Sequence, residues 1–284
     1  MKTGICIKPL TPMYKEAPFP IEDEICMGWA VIILSQDRER YRIRTHYGYE
    51  GYVNCEDILI SEVPENRKLH VITKPLCDVM SQPDVTSRLL ITLPAGAFVE
   101  IIDDTEDDGY CLIKTADGTE GYVPCIFLTP RKDSDGFLFT DDQNYSRNAP
   151  YPDDEQTIRD RIVNSAGYFT GVQYRWGGKS GSGIDCSGLA FMSYMLAGVL
   201  IYRDADIRDD YPIRPITRQQ LKKGDLLFFP GHVAIYLGNG KYIHSTAHSK
   251  SFGVTVNSLN PHDEDYRQDL DELLTECGSI FPAE

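Results

Sequence analysis

One cysteine and two histidines in the C-terminal third of the chain have the types and spacing of a nucleophilic site. Cys186 follows a glycine-rich segment (177–183) and opens an apolar helical run, where the helix dipole and unpaired backbone N–H groups favour a thiolate. His232 begins a strand-like segment, and His244 lies on the next one. One imidazole would act as general base while the second holds it in the productive tautomer. The glycines predict backbone N–H groups free to hold an oxyanion.

Whether the histidines meet depends on the register of the hairpin between their strands. A two-residue turn at 239–240 would place His244 opposite Ile235, on the wrong face. A three-residue loop at 238–240 would place His244 opposite Ala234, with the two histidine Cα atoms about 7 to 8 Å apart as diagonal neighbours. Both registers stay open from the sequence, and only the second forms a triad.

Other interpretations of these residues also remain. Cys186 can be a buried structural thiol, and the two histidines can be ordinary strand residues. Zinc binding by Cys186, His232 and His244 is a further alternative, and His244 and His248 have the i, i+4 spacing of zinc ligands on a helix. That segment has an extended pattern, however, and the sequence has no Cys-x-x-Cys pair. The sequence therefore predicts no metal and no cofactor.

The elements around these residues predict an α+β domain that begins near residue 151. Acidic residues precede apolar positions spaced by three to four residues over 152–169, which indicates a helix. Apolar residues follow Cys186 with the same spacing. Four later segments read as strands: 225–229, 233–237, 242–245 and 254–256. Helices followed by strands of this kind form α+β folds.

The first 130 residues contain an internal repeat. The segment EGYVNC at 50–55 matches EGYVPC at 120–125, and a strand pattern precedes each copy. Short apolar runs alternate with turn-rich segments, which is typical of small all-β barrels. In each copy of about 60 to 70 residues, the tripeptide Gly-Tyr-Val closes a predicted hairpin. This pattern resembles the bacterial SH3-like (SH3b) fold. Six cysteines lie in this region in apolar contexts, and we expect them to be buried reduced thiols.

Charge and hydropathy exclude several classes of function. The 284 residues carry a net charge of −15, which disfavours binding to nucleic acid and to anionic membranes. No apolar stretch approaches the roughly 20 residues of a membrane-spanning helix. The N-terminus lacks the apolar core of a secretory signal, so we expect a cytoplasmic location, or an extracellular one if a native leader has been removed.

Four segments together resemble the NlpC/P60 family of cell-wall cysteine peptidases. They are DCSG at 185–188, GDLLFF at 224–229, GHVAIYLG at 231–238 and YIHS at 242–245. The resemblance covers about residues 151–284 and implies a papain-like fold. It implies Cys186 as nucleophile, His232 as base and His244 as the third polar residue. The bond cleaved in that family is usually the γ-D-glutamyl to diamino acid link of peptidoglycan stem peptides.

Two SH3b-like copies ahead of this domain are similar to the murein-peptide recycling members of the family. Those enzymes act on stem peptides with a free N-terminal L-Ala, whose amine is held with help from an SH3b residue. One departure is Ala205, at a position that is commonly Ser in this subgroup. The tyrosine that matches this SH3b residue is Tyr49 in the first copy, and the second copy has Thr119 at the corresponding position. The substrate-binding residues implied by the resemblance are Tyr49, Tyr174, Asp185, Ser187 and Asp204.

We therefore predict two small all-β SH3b-like barrels, at 1–62 and 63–130, a linker at 131–150 and an NlpC/P60 peptidase domain at 151–284. The predicted activity is hydrolysis of the γ-D-glutamyl-diamino acid bond of stem peptides with a free N-terminal L-Ala, in murein peptide recycling. The partner is the stem peptide itself. Alternatives are hydrolysis of intact peptidoglycan, an amidase or acyltransferase on the same fold, and an inactive peptide-binding module.

Overall fold

The computed structural model describes residues 2–16, 20–61, 69–107, 109–131 and 153–282. The chain divides into two compact units, the first holding the two sheets built from the internal repeat and the second holding the three helices and the remaining strands. Within the described residues, no helix is both long and apolar enough to cross a membrane. Nearly all of the predicted linker at 131–150 lies outside the described residues, and the predicted domain boundaries stay a prediction.

The first unit contains two antiparallel sheets with the same strand order. The first sheet has the strands β1 (Lys2–Cys6), β2 (Leu10–Tyr14), β3 (Ile21–Cys26), β4 (Ala30–Asp37), β5 (Arg40–Thr45), β6 (Glu50–Asn54) and β7 (Ile58–Ile60). The second has β8 (Leu69–Ile72), β9 (Leu76–Met80), β10 (Leu89–Pro94), β11 (Phe98–Asp107), β12 (Tyr110–Lys114), β13 (Glu120–Pro124) and β14 (Leu128–Pro130). The orders are β3-β2-β6-β5-β4-β1-β7 and β10-β9-β13-β12-β11-β8-β14, which confirms the duplication.

The repeated glycine has the same packing role in both copies. A Cβ on Gly51 would lie 2.8 Å from the backbone oxygen of Tyr14, and a Cβ on Gly121 would lie 2.7 Å from that of Met80. Both glycines therefore let β6 and β13 pass close to the neighbouring strands β2 and β9. This close passage accounts for the glycine in the repeated sequence motif.

The two sheets are open and share part of one core. Among the described strands, those at the ends of each order do not pair, so neither of the two predicted SH3b-like sheets is closed. Met27 of the first copy packs in the apolar core of the second. The buried Trp29 donates a hydrogen bond of 2.7 Å from Nε1 to the backbone oxygen of Gly96. These contacts join the two copies into a single unit.

The expectation of reduced, buried cysteines is wrong for one pair. Cys111 and Cys125 form a disulfide. Cys111 is on β12 and Cys125 directly follows β13, so strand pairing brings together residues 14 positions apart in sequence. Cys55, which corresponds to Cys125 in the first copy, is a free thiol and only half-buried. The first copy has Tyr41 where the second has Cys111, so it cannot form this bridge.

Two long helices begin the second unit as the sequence predicts. Helix α1 (Glu155–Tyr168) starts where the Asp154 side chain accepts a hydrogen bond of 3.0 Å from the Thr157 N–H. Its apolar positions, among them Ile158 and Ile162, are buried. Helix α2 (Cys186–Leu196) is buried on nearly every side because it packs against both α1 and the sheet.

A six-stranded antiparallel sheet, in the order β17-β22-β18-β19-β20-β21, completes the second unit. Its strands are β17 (Arg214–Ile216), β18 (Leu226–Phe229), β19 (His232–Gly238), β20 (Lys241–Thr246), β21 (Gly253–Ser258) and β22 (Glu276–Ser279). A short hairpin, β15 (Lys179–Ser180) and β16 (Gly183–Ile184), precedes α2, and α3 (Gln268–Glu272) precedes β22. The last strand inserts between β17 and β18, a pairing that local sequence does not reveal. The α+β class is confirmed.

Candidate active site

Helix α2 begins at Cys186, the predicted nucleophile. Asp185 is the N-cap residue, and its Oδ1 accepts a hydrogen bond of 2.6 Å from the backbone N–H of Gly188. Its Oδ2 accepts a second bond of 2.8 Å from the N–H of Gly177. One carboxylate thus ties the glycine-rich loop to the first turn of the helix. Cys186 is held at the first position of that turn.

Two glycines of this loop do not have the predicted role. The N–H of Gly177 is bonded to Asp185, and that of Gly178 is bonded to the backbone oxygen of Arg175. These two N–H groups are therefore not available to an oxyanion. A Cβ on Gly188 would lie 2.2 Å from the backbone oxygen of Gly178. The glycines instead allow the loop and the helix to pack in direct backbone contact.

The Asp185 carboxylate is paired with a buried arginine. The Nη1 and Nη2 atoms of Arg203 lie 3.2 Å from Oδ1 and Oδ2 of Asp185. Arg203 Nη1 also donates a hydrogen bond of 2.8 Å to Ser187 Oγ. Both Asp185 and Ser187 are buried, so their polar atoms are engaged within the protein. Their predicted contact with substrate stays a prediction, and the geometry gives them a supporting role at the helix start.

A β-bulge sets the register between β19 and β20. The turn consists of Asn239 and Gly240, both with positive φ, and Gly238 pairs with Lys241 as a two-residue turn requires. The register then shifts between Tyr236 and Gly238, so that Ile235 pairs with Ile243. His244 consequently lies opposite Ala234, on the face that it shares with His232. The shared face is confirmed, although a bulge produces it and not a three-residue loop.

The two imidazoles contact each other directly. Nε2 of His232 and Nδ1 of His244 are 2.8 Å apart, and the ring planes are nearly perpendicular at 74°. His244 is fully buried. Its other ring nitrogen, Nε2, lies 2.9 Å from Oδ1 of Asn257 on β21. Three side chains therefore form one continuous hydrogen-bonded chain.

Burial keeps both imidazoles neutral. It lowers the pKa of His232 to about 3 and that of His244 to about 4. For His232, the neighbouring imidazole adds to this effect, and the positive charge of Arg267 lowers the pKa of both rings further. Each ring thus carries one proton at neutral pH, with one donor and one acceptor nitrogen.

Burial also controls the protonation of the nucleophile. It raises the pKa of Cys186 to about 11, and the nearby charge of Asp185 acts in the same direction. The backbone N–H groups of Val233 and Ser187 lower the pKa, but by less than burial raises it. Burial therefore opposes the stabilisation of a thiolate that we expect from the helix start. The contact with Val233 places the sulfur beside the residue that follows His232.

Tyr174 lies near the Cys186 thiol, and Asp204 lies near Ser187. Burial raises the pKa of Tyr174 to about 12, and the electrostatic influence of Cys186 and Asp185 on this phenol shows that it lies near both. Asp204 is half-buried and lines a cavity together with Ser187 and Val233. These positions fit the predicted binding roles, which stay predictions.

Tyr49 lies in the first unit, in the turn between β5 and β6. Its backbone N–H donates a hydrogen bond of 3.0 Å to Thr45 Oγ1, and its ring stacks on that of Tyr47. Its predicted contact with substrate stays a prediction.

The geometry does not favour a metal site. Both ring nitrogens of His244 are engaged, and His244 lies on β20, so its spacing to His248 is not that of a helix. Within the described residues, no group of three or more His, Cys, Asp and Glu side chains is placed to hold a metal ion.

Two residues of the site were missed from the sequence. The residue type did not predict Arg203, because arginine is ordinarily exposed. Its position next to the predicted Asp204 is the feature that could have indicated it. Asn257 lies one residue beyond the predicted strand at 254–256. Its contact with His244 depends on the pairing of β20 with β21, which no motif encodes.

Family models and known proteins match this chain in both units. Residues 171–269 match the NlpC/P60 family model, and residues 79–124 match the bacterial SH3 domain model. Dipeptidyl-peptidase 6 of Lysinibacillus sphaericus is 36% identical over 287 residues, covering 98% of this chain and 99% of that protein.

Two proteins from Bacillus cereus extend the comparison. The γ-D-glutamyl-L-lysine dipeptidyl-peptidase of that species is 33% identical over 115 residues, which cover 38% of this chain and 34% of that protein. The crystal structure of an NlpC/P60 family protein from B. cereus superposes with a TM-score of 0.76 at 19% identity, covering 99% of this chain and all of that one. This structural likeness supports the fold.

Replacing Arg203 tests the ion pair at the helix start. We expect Arg203→Met to lower the free energy of unfolding by about 3 to 5 kcal/mol, because it leaves the Asp185 carboxylate buried without its guanidinium. The exposed Arg208, 4.0 Å from Asp206, provides the control, and Arg208→Met should change stability by less than about 1 kcal/mol. Urea unfolding measures both variants. Equal losses of unfolding free energy in the two variants would show that the buried ion pair stabilises the protein no more than the exposed one.

The pH dependence of alkylation tests the protonation of Cys186. With its pKa raised to about 11, the thiolate fraction should rise about tenfold per pH unit from about pH 7 to pH 10, and the iodoacetamide rate with it. Peptide mass spectrometry separates modification of Cys186 from that of the half-buried Cys55, and Cys186→Ala supplies the blank. A rate that is constant over this range would instead indicate a thiolate already formed in the free protein.

Proposed function

Because the chain belongs to the NlpC/P60 family, we propose that it is a cysteine endopeptidase that cleaves the γ-D-glutamyl-diamino acid bond of peptidoglycan stem peptides. The observations that carry the proposal are the hydrogen bond of 2.8 Å between His232 and His244 and the contact of the Cys186 thiol with the backbone N–H of Val233, the residue after His232. A nucleophile, a base and a group that orients the base are the parts that acyl transfer through a thioester needs.

In the proposed reaction, proton transfer accompanies attack. His232 takes the proton of the Cys186 thiol as the sulfur bonds to the γ-carbonyl carbon of D-Glu. The resulting imidazolium gives that proton to the nitrogen of the diamino acid, the C–N bond breaks, and a thioester remains. His232 then removes a proton from water, whose oxygen attacks the thioester and releases the carboxylate. The proton returns to the sulfur, which restores the thiol.

The neutral resting state supports this order of events. With the thiol pKa raised and the imidazole pKa lowered, neither group is charged before substrate binds. The base therefore acts at the moment of attack and not beforehand. The N–H of Cys186, in the first turn of α2, has no acceptor within the helix, and we assign it to the developing oxyanion. The Tyr174 phenol stays protonated because its pKa is raised to about 12, so it is available as a second donor.

We assign the free amine of the N-terminal L-Ala to Asp204. Asp204 is half-buried, interacts with the Tyr202 phenol and lines a small cavity beside Ser187. A carboxylate in a partly closed cavity binds an ammonium through charge-assisted hydrogen bonds. The name of the B. cereus relative, a γ-D-glutamyl-L-lysine dipeptidyl-peptidase, supports both the bond cleaved and the release of an N-terminal dipeptide. Peptides of this form arise in murein recycling, which agrees with the predicted cytoplasmic location.

Removing the thiol tests the proposed chemistry. We expect Cys186→Ala to abolish release of the diamino acid from L-Ala-γ-D-Glu-L-Lys and L-Ala-γ-D-Glu-diaminopimelate, because no thioester can form. Cys277→Ala, which removes another buried free thiol of the same unit, should retain turnover. Mass spectrometry of the products identifies the bond broken. Turnover by the Cys186 variant, or cleavage at a different bond as by an amidase, would refute the proposal.

Blocking the peptide amine tests the proposed role of Asp204. Acetylating L-Ala should lower kcat/KM by about 10- to 100-fold, through loss of a charge-assisted hydrogen bond. Asp204→Asn should reduce this preference for the free amine, whereas Asp209→Asn, at an exposed carboxylate that does not line the cavity, should preserve it. Equal turnover of blocked and free peptides by the unmodified protein would point to wall-linked peptide as the substrate.

A further inference from the structure

Asn257 is the outermost member of the hydrogen-bonded chain that leads to His232. In the pairing of β20 with β21, Asn257 lies opposite Tyr242, while His244 lies opposite Thr255. Asn257 is therefore the diagonal neighbour of His244, a separation that side chains can bridge. Its Oδ1 is 2.9 Å from Nε2 of His244. None of the motif segments that define the site includes this residue.

The orientation of the Asn257 amide is fixed by its second contact. Its Nδ2 donates a hydrogen bond of 3.0 Å to the backbone oxygen of Asp265, which only accepts. The same oxygen accepts a bond of 3.1 Å from the N–H of Ser258. The Asp265 side chain is in turn held by Lys241 Nζ at 2.5 Å. A flipped amide would bring two acceptors together at Asp265, so Oδ1 faces His244.

This orientation determines the position of each imidazole proton. Because Oδ1 of Asn257 accepts, Nε2 of His244 must donate and carry the proton. A neutral imidazole has one proton, so Nδ1 of His244 is an acceptor. Nε2 of His232 must then donate to it across the distance of 2.8 Å. The remaining nitrogen, Nδ1 of His232, is left without a proton and has a lone pair.

We propose that Asn257 is a positioning residue that acts through His244 to keep Nδ1 of His232 unprotonated. The inference rests on the proposed function, in which His232 must accept the proton of the Cys186 thiol. In this role, Asn257 on β21 selects one of the two tautomeric arrangements that are available to His232 and His244. Without Asn257, the proton of His244 can move to Nδ1, which reverses the hydrogen bond and places the His232 proton on Nδ1.

A purely structural role for Asn257 predicts different behaviour. Losing one partly exposed hydrogen bond between a side chain and the backbone would lower stability slightly, and the ring protons would stay where they are. The positioning role predicts a change in the tautomers of His244 and His232 in a protein that remains folded. Long-range proton–nitrogen NMR spectra of protein labelled with ¹⁵N-histidine distinguish protonated from unprotonated ring nitrogens, and they require no substrate.

The experiment compares three variants with the unmodified chain. We expect both rings to carry the proton on Nε2 in the unmodified protein. Asn257→Leu should move about nine-tenths of the population to the Nδ1 tautomer and lower kcat about tenfold, with little change in KM. Asn257→Asp keeps an acceptor for His244 and should retain the Nε2 tautomer. Val256→Thr, on the opposite face of β21, is the control and should match the unmodified protein.

The outcomes separate this inference from the proposed function. Unchanged tautomers in Asn257→Leu, or a loss of the Nε2 tautomer in Asn257→Asp equal to that in Asn257→Leu, would overturn the positioning role even if the protein cleaves stem peptides. Tautomers that follow Asn257 as expected, in a protein that cleaves no peptide, would support the positioning role and reject the peptidase proposal.

Discussion

The pairing of β19 with β20 keeps two imidazoles on one face of the sheet, and the site is arranged around that pairing. Side chains alternate between faces along a strand, so a shift of one residue would turn His244 away from His232. A two-residue turn at 239–240 would impose that shift. The bulge between Tyr236 and Gly238 absorbs it. Because one extra residue is left unpaired on β19, the hairpin keeps its two-residue turn and still has His232 and His244 on the same face.

The same packing that holds these side chains determines their charge. Removing water from a thiol and two imidazoles penalises every charged form, so the thiol pKa rises and the imidazole pKa values fall. The helix terminus offers only a partial positive charge, and here it does not offset burial. In such a neutral site, proton positions depend on hydrogen-bond partners. That dependence gives Asn257, two side chains away from His232, influence over the base.

A buried carboxylate organises the other half of the site. Asp185 caps α2, binds the glycine-rich loop and is neutralised by Arg203. Such an arrangement is costly to break because any one partner left alone would be a buried unpaired charge. It also explains why these residues hold Cys186 in position at the start of the helix. In the first unit, by contrast, duplication of one sheet and a shared core around Met27 give a single body from two repeats.

Local patterns in the sequence determined the helices, most strands, the repeat and the three residues of the proposed triad, because periodicity, caps and motifs are properties of neighbouring residues. The cystine of Cys111 and Cys125, the insertion of β22 and the contact of Asn257 with His244 became evident only in the tertiary structure. Each of these depends on strand pairing between segments whose spacing carries no local signal. The thiol pKa likewise depended on burial, which is set by everything packed around Cys186.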